Sequence, residues 1–161
     1  METGLPDFNG TLYQMLLATA RDAAGLAYCP YSNFPVGAAL LAFDGKIYKG
    51  ANFETVTFTQ TKHAEEVALL AAFSDEVFVR AQRASVDRLH TFEALAVFVP
   101  KKLGLMPCGN CCATLAEVFR DQLIISITGP GNADFELARF NALAPYLMHS
   151  EDVLESSHPE S

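Results

Sequence analysis

Three features of the chain imply an α/β fold in three α/β/α layers, with helices on both faces of one mixed sheet. Asp44-Gly45 lies between two apolar runs and marks an antiparallel hairpin. Residues 92–128 run as buried strand, helix, buried strand, a βαβ unit whose strands should be parallel with a right-handed crossover. Apolar residues at helical spacing both precede and follow the hairpin.

Each element has its own signal. In residues 11–27, Leu12, Leu16, Thr19/Ala20 and Ala23 share a helical face, and the two prolines of "YCPYSNFP" then stop the helix. "VGAALLAF" and "KIYKGAN" are the two hairpin strands, and the Asp-Gly pair suits a type I′ turn, which needs positive φ at both central residues. "NFETVTFTQT" is a Thr-rich loop. From His63, Ala64, Val67, Ala68, Leu70, Ala71 and Ala72 outline a largely buried helix, with Thr61 as its candidate N-cap and Glu65 and Glu66 in its first turn. Residues 80–91 read as helix end and connection. "FEALAVFV" and "QLIISIT" are continuous apolar runs suited to buried strands. A helix is expected between them from about Gly109 to Arg120, and "GPGN" is a turn. Residues 133–139 alternate like a strand, Ala138 to Leu147 could be helix, and the polar tail from about 150 should fray.

The 161 residues are half hydrophobic, enough for a single domain spanning 1–161. A net charge of -8 disfavours phosphate backbones, and neither Lys101-Lys102 nor the scattered Arg80, Arg83 and Arg88 offsets it, so no nucleic-acid partner is expected. No stretch has the length and apolarity of a membrane span, and the first ten residues do not resemble a signal peptide. Three of the four cysteines, Cys29, Cys108, Cys111 and Cys112, fall within five positions, which suits metal ligation in a reducing cytoplasm.

In "PCGNCC", Cys108 and Cys111 are spaced to hold one ion where a loop enters a helix. With His63 they make three ligands and leave a position for water, the arrangement of catalytic rather than structural zinc. Imidazole with two thiolates favours Zn2+. Two helix starts, near His63 and near Cys108, should meet there and lend positive partial charge and free N–H groups. Glu65, two residues beyond His63, can face the open position without ligating and move protons. Any one of these residues alone has an ordinary explanation in packing, capping or solvation; the combination does not. Cys112 and Cys29 read as packing residues, and His90, His149 and His158 have no comparable context.

His-x-Glu followed by Pro-Cys-x-x-Cys is the pattern of zinc nucleobase deaminases. With "AYCPYSNFPVGAALL", "DGKIYKGANFE" and, weakly, "LAPYLMHSEDV", most of the chain resembles the cytidine deaminase family of small nucleoside enzymes. The resemblance implies a mixed five-stranded sheet, with 133–139 as the fifth strand. It also implies zinc-dependent hydrolysis of cytidine and deoxycytidine to uridine and deoxyuridine, a pyrimidine nucleoside as the small-molecule partner, and a homo-oligomer, a tetramer before a dimer. By position, His63, Cys108 and Cys111 resemble the zinc ligands and Glu65 the proton shuttle. Asn52 and Glu54 resemble the pair that bonds the ribose 3′-hydroxyl. The Ala64 N–H would hold the base 2-carbonyl, and Phe34 would pack beside the base.

The chain departs from many small family members in two ways. A histidine replaces one thiolate ligand, and Glu66 and Cys112 stand where arginines are usual; the changes are mutually consistent, because fewer thiolates need less positive charge. Thr55, Phe58 and Met148 replace a common Asn, a frequent Tyr and a C-terminal aromatic. These leave open a modified cytosine nucleoside, such as blasticidin S, as substrate. A non-catalytic zinc-binding domain is the alternative from another class.

Overall fold

The computed structural model describes residues 10–100, 104–129 and 135–145. Helix α1 (Thr11–Ala24) precedes the strands β1 (Gly37–Ala42) and β2 (Ile47–Ala51). Helices α2 (Ala64–Ser74) and α3 (Val77–Arg83) lead through a 3₁₀ turn at Arg88–His90 to β3 (Phe92–Phe98). Then come α4 (Gly109–Leu115), β4 (Leu123–Ile127), β5 (Phe135–Arg139) and α5 (Phe140–Leu143). The sheet order is β2-β1-β3-β4-β5. β3 and β4 are parallel, as the βαβ pattern requires, and the other pairs are antiparallel. The mixed five-stranded sheet is therefore the expected one.

Alternation along the strands separates two cores. Ala39 and Leu41 of β1 with Ala94 and Ala96 of β3 meet Leu16, Leu17 and Ala20 of α1 on one face. Ala38 and Leu40 with Leu95 and Val97 meet Ala64, Ala68 and Ala72 of α2 and Leu115 of α4 on the other. Burying both faces explains why β1, β3 and β4 read as nearly unbroken apolar runs.

Gly50 brings α2 onto the sheet. A Cβ there would lie 2.2 Å from the Ala64 carbonyl oxygen and 2.3 Å from the Ala68 nitrogen. Only a bare Cα allows this approach. It sets the start of α2 beside the end of β2, and so beside Asn52.

Several local expectations are corrected. The β1–β2 hairpin lies where Asp44-Gly45 placed it, but only Gly45 has positive φ, at 79°. The Gly45 N–H donates to the Ala42 carbonyl and the Ala42 N–H to the Lys46 carbonyl. This is a three-residue turn closed by a left-handed glycine rather than a two-residue type I′ turn. Thr61 does not cap α2: its hydroxyl accepts the Thr55 N–H at 3.3 Å, and His63 is the N-cap, with φ -80° and ψ 157°. α2 stops at Ser74 because Glu76 turns left-handed, with φ 58°, and α3 is a separate helix. α4 ends at Leu115 instead of Arg120. There the Glu117 and Val118 N–H groups turn back to the Thr114 and Leu115 carbonyls, which rolls Val118 and Phe119 into the core. Helix α5 covers only the first part of the 138–147 stretch, after β5. Met148, His149, His158, the polar tail and the remainder of the "GPGN" turn beyond Gly129 lie outside the described residues.

Candidate active site

The starts of α2 and α4 converge. His63 is the N-cap of α2, Cys108 the N-cap of α4, and Cys111 the third residue of α4. His63 Nδ1 lies 3.4 Å from Cys108 Sγ and 3.2 Å from Cys111 Sγ, and the two sulfurs are 3.7 Å apart. Donors held tetrahedrally on one zinc at bond lengths of about 2.3 Å (S) and about 2.0 Å (N) stand about 3.8 Å (S···S) and about 3.5 Å (N···S) apart. The donor set therefore fits one zinc, with Nδ1 as the imidazole ligand atom. Burial drives the Cys111 thiol far above its ordinary range, and the charges of Glu65 and Cys108 add to this. A coordinated cation reverses that balance, since a ligating thiol is deprotonated outright. Cys112, one residue on, points into the core and donates to the Pro107 carbonyl, as a packing residue should.

Glu65 is 6% exposed. Burial raises its carboxyl above the ordinary carboxylate range; its own backbone N–H, His63 and a hydrogen bond with Cys111 pull the other way. Glu66 does not face the ligands. Its Oε2 accepts the His63 N–H at 3.1 Å, closing the first turn of α2.

A cavity of about 330 Å³ opens in front of these groups, lined among others by Phe34, Asn52, Glu54, Ala64 and Glu65. All the site residues singled out in the sequence line this cavity except Cys111, which is buried and meets His63 and Cys108 at its edge. The Ala64 N–H, at the first helical position, has no intrahelical acceptor. Phe34 is 38% exposed and forms an apolar wall. Thr55 and Phe58 are not among the lining residues; Phe58 instead packs edge-on against Tyr31.

Asn52 and Glu54 hold the loop that carries Phe34. Asn52 Nδ2 donates to the Phe34 carbonyl at 3.0 Å and its Oδ1 accepts the Val36 N–H at 2.8 Å. Glu54 Oε2 accepts the Tyr31 and Ser32 N–H groups at 2.9 and 3.2 Å, and its Oε1 accepts the Ser32 hydroxyl. The Ser32 bond, then burial acting in the opposite sense, then the two N–H groups, leave the Glu54 carboxyl below its ordinary value. Ser32, Leu105 and Met106 also line the cavity and carried no sequence signal of their own. The one available hint was Ser32 two residues before Phe34, the spacing of a serine turn.

The sequence profile of the cytidine and deoxycytidylate deaminase zinc-binding region matches residues 11–127. The cytidine deaminase of Sporosarcina psychrophila is 36% identical over 140 residues, 87% of this chain and 93% of that protein. That of Halalkalibacterium halodurans is 40% identical over 140 residues, 87% of this chain and 96% of that protein. The crystal structure of the Burkholderia pseudomallei cytidine deaminase superposes with a TM-score of 0.70 at 29% identity, over 84% of this chain and 98% of that one. With a profile match over most of its length and relatives aligned almost end to end, the chain belongs to the cytidine and deoxycytidylate deaminase family.

Proposed function

We propose that this protein is a cytidine deaminase, converting cytidine and deoxycytidine hydrolytically to uridine and deoxyuridine with release of ammonia. The observation that carries it is the convergence of His63, Cys108 and Cys111 on one point beside the buried carboxyl of Glu65, at the end of a nucleoside-sized cavity. His63, Cys108 and Cys111 would hold the ion, and a zinc ion there would supply the Lewis acidity that lets water be deprotonated near neutral pH. Glu65 takes one proton from the attacking water and delivers it to the ring nitrogen next to the reacting carbon; it then takes the proton of the hydroxyl added at that carbon and passes it to the departing amine, which leaves as ammonia as the carbonyl forms. Its raised pKa suits a group that must both accept and donate. The Ala64 N–H orients the base through its 2-carbonyl, and Phe34 covers the base face.

The sugar end follows from counting hydrogen-bond capacity. A carboxylate offers about four acceptor sites, and Ser32 and Tyr31 use three on Glu54. Asn52 keeps one amide N–H after bonding Phe34. One acceptor and one donor side by side suit a sugar hydroxyl, which gives one hydrogen bond and takes another.

The four cysteines are free of disulfides, which suits a reducing cytoplasm; a place in pyrimidine salvage rests on the proposed reaction alone. Exposed Leu70, Phe73, Val56 and Phe58 support a homo-oligomer. Ammonia release from cytidine, deoxycytidine, cytosine, CMP and blasticidin S, with zinc quantified on the same sample, tests the function. Turnover of the first two above the rest is expected. Preference for blasticidin S would shift the substrate to a modified nucleoside, and one zinc per chain with no turnover would indicate a non-catalytic zinc domain.

A further inference from the structure

We propose that Ser32 is a positioning residue that aims the Glu54 carboxylate at the sugar. The Ser32 hydroxyl is used in both directions. Its oxygen accepts the Phe34 N–H at 3.1 Å, and its hydrogen goes to Glu54 Oε1, 22 residues away in sequence. A serine that only shaped its own turn would need the first bond and not the second. The donor matters because Oε1 is the oxygen with capacity left. The two backbone N–H groups hold Oε2 alone, and a carboxylate held at one oxygen can still rotate the other. The Ser32 bond removes that freedom and leaves one lone pair of Oε1 for the ligand. Phe34 keeps a separate anchor in Asn52, whose amide donates to the Phe34 carbonyl at 3.0 Å, so the base wall stays in place without the Ser32 hydroxyl. Ser32 itself is exposed at the cavity edge, so its replacement by Ala removes no buried packing.

The proposal rests on the sugar-binding reading of Asn52 and Glu54, and the test separates the two. Steady-state kinetics are compared for cytidine and 2′,3′-dideoxycytidine, which lacks both ring hydroxyls, with bound zinc measured alongside. Wild type should favour cytidine. Ser32→Ala should raise KM for cytidine about tenfold, the loss expected for one charge-assisted hydrogen bond. Its kcat, zinc content and KM for the dideoxynucleoside should stay within about twofold. Ser32→Thr, which keeps the hydroxyl, should recover the cytidine KM. If wild type discriminates and Ser32→Ala leaves the two KM values unchanged, or raises both alike, or loses zinc, Ser32 has no positioning role and the sugar reading stands. If wild type handles both substrates equally, or turns over neither, the sugar reading fails and this proposal with it.

Discussion

Glu65 joins burial to function in one side chain. A carboxyl that is 6% exposed, at the first turn of a helix and hydrogen-bonded with Cys111, resists ionising more than one in water. Glutamine has the same shape without a transferable proton. Glu65→Gln should keep its zinc, as read by elemental analysis, and lose about a thousandfold in kcat. His63→Ala should instead lose the metal itself. His63, Glu65, Cys108 and Cys111 are legible in the sequence because the ligation and proton transfer proposed for them demand particular side chains at fixed backbone offsets. Ser32 is not, since the role proposed for it depends on where a carboxylate on another segment comes to lie. Thr61 misled for a related reason: it is a good capping residue, but the loop takes its hydroxyl first and His63 occupies the cap.

Helix α2 is placed by what it touches at both ends. At its start, the missing Cβ of Gly50 lets it settle on β2. Gly50→Ala should destabilise the fold by about 3 kcal/mol in urea denaturation and weaken zinc retention, because the displaced turn carries His63. At its end, Asp75 gathers Lys46 Nζ at 2.6 Å, the Tyr48 hydroxyl at 2.7 Å and Arg80, pinning the hairpin to the α2–α3 corner. The hydrogen bonds from Lys46 and Tyr48 lower the Asp75 pKa from 3.8 to about 2. Its folded value lies below its unfolded one, so the stability it lends is present above about pH 4 and is lost as the pH falls toward 2. Asp75→Asn should therefore melt below wild type near about pH 6, with the gap closing between about pH 4 and 2. A gap of constant size in melting curves across that range would contradict the clamp. The position of the hairpin was readable from Asp-Gly, but its turn type was not, because the strand ends set the loop length and with it which residue must go left-handed.

The molecule is two cores divided by one sheet, and the proposed ion bridges elements on one side of it. His63 belongs to the start of α2 and the two cysteines to the start of α4, so binding couples helices that the chain visits 45 and 48 residues apart. An ion bound only by the folded state stabilises by mass action, about 2.7 kcal/mol at a hundredfold excess over its dissociation constant. Stripping zinc with a chelator should lower the melting temperature, and adding zinc back should restore it. The layer order was legible because strands buried on both faces leave long apolar runs and the βαβ unit has one allowed hand. The short α4 was not, because the tightening after Leu115 answers to the core beneath it rather than to local spacing. The most direct test is ammonia release from cytidine by wild type and Glu65→Gln, with zinc counted on both. One zinc per chain in each, with turnover in wild type alone, is the expected result; a zinc-loaded Glu65→Gln protein that still deaminates, or a zinc-loaded wild type that does not, would contradict it.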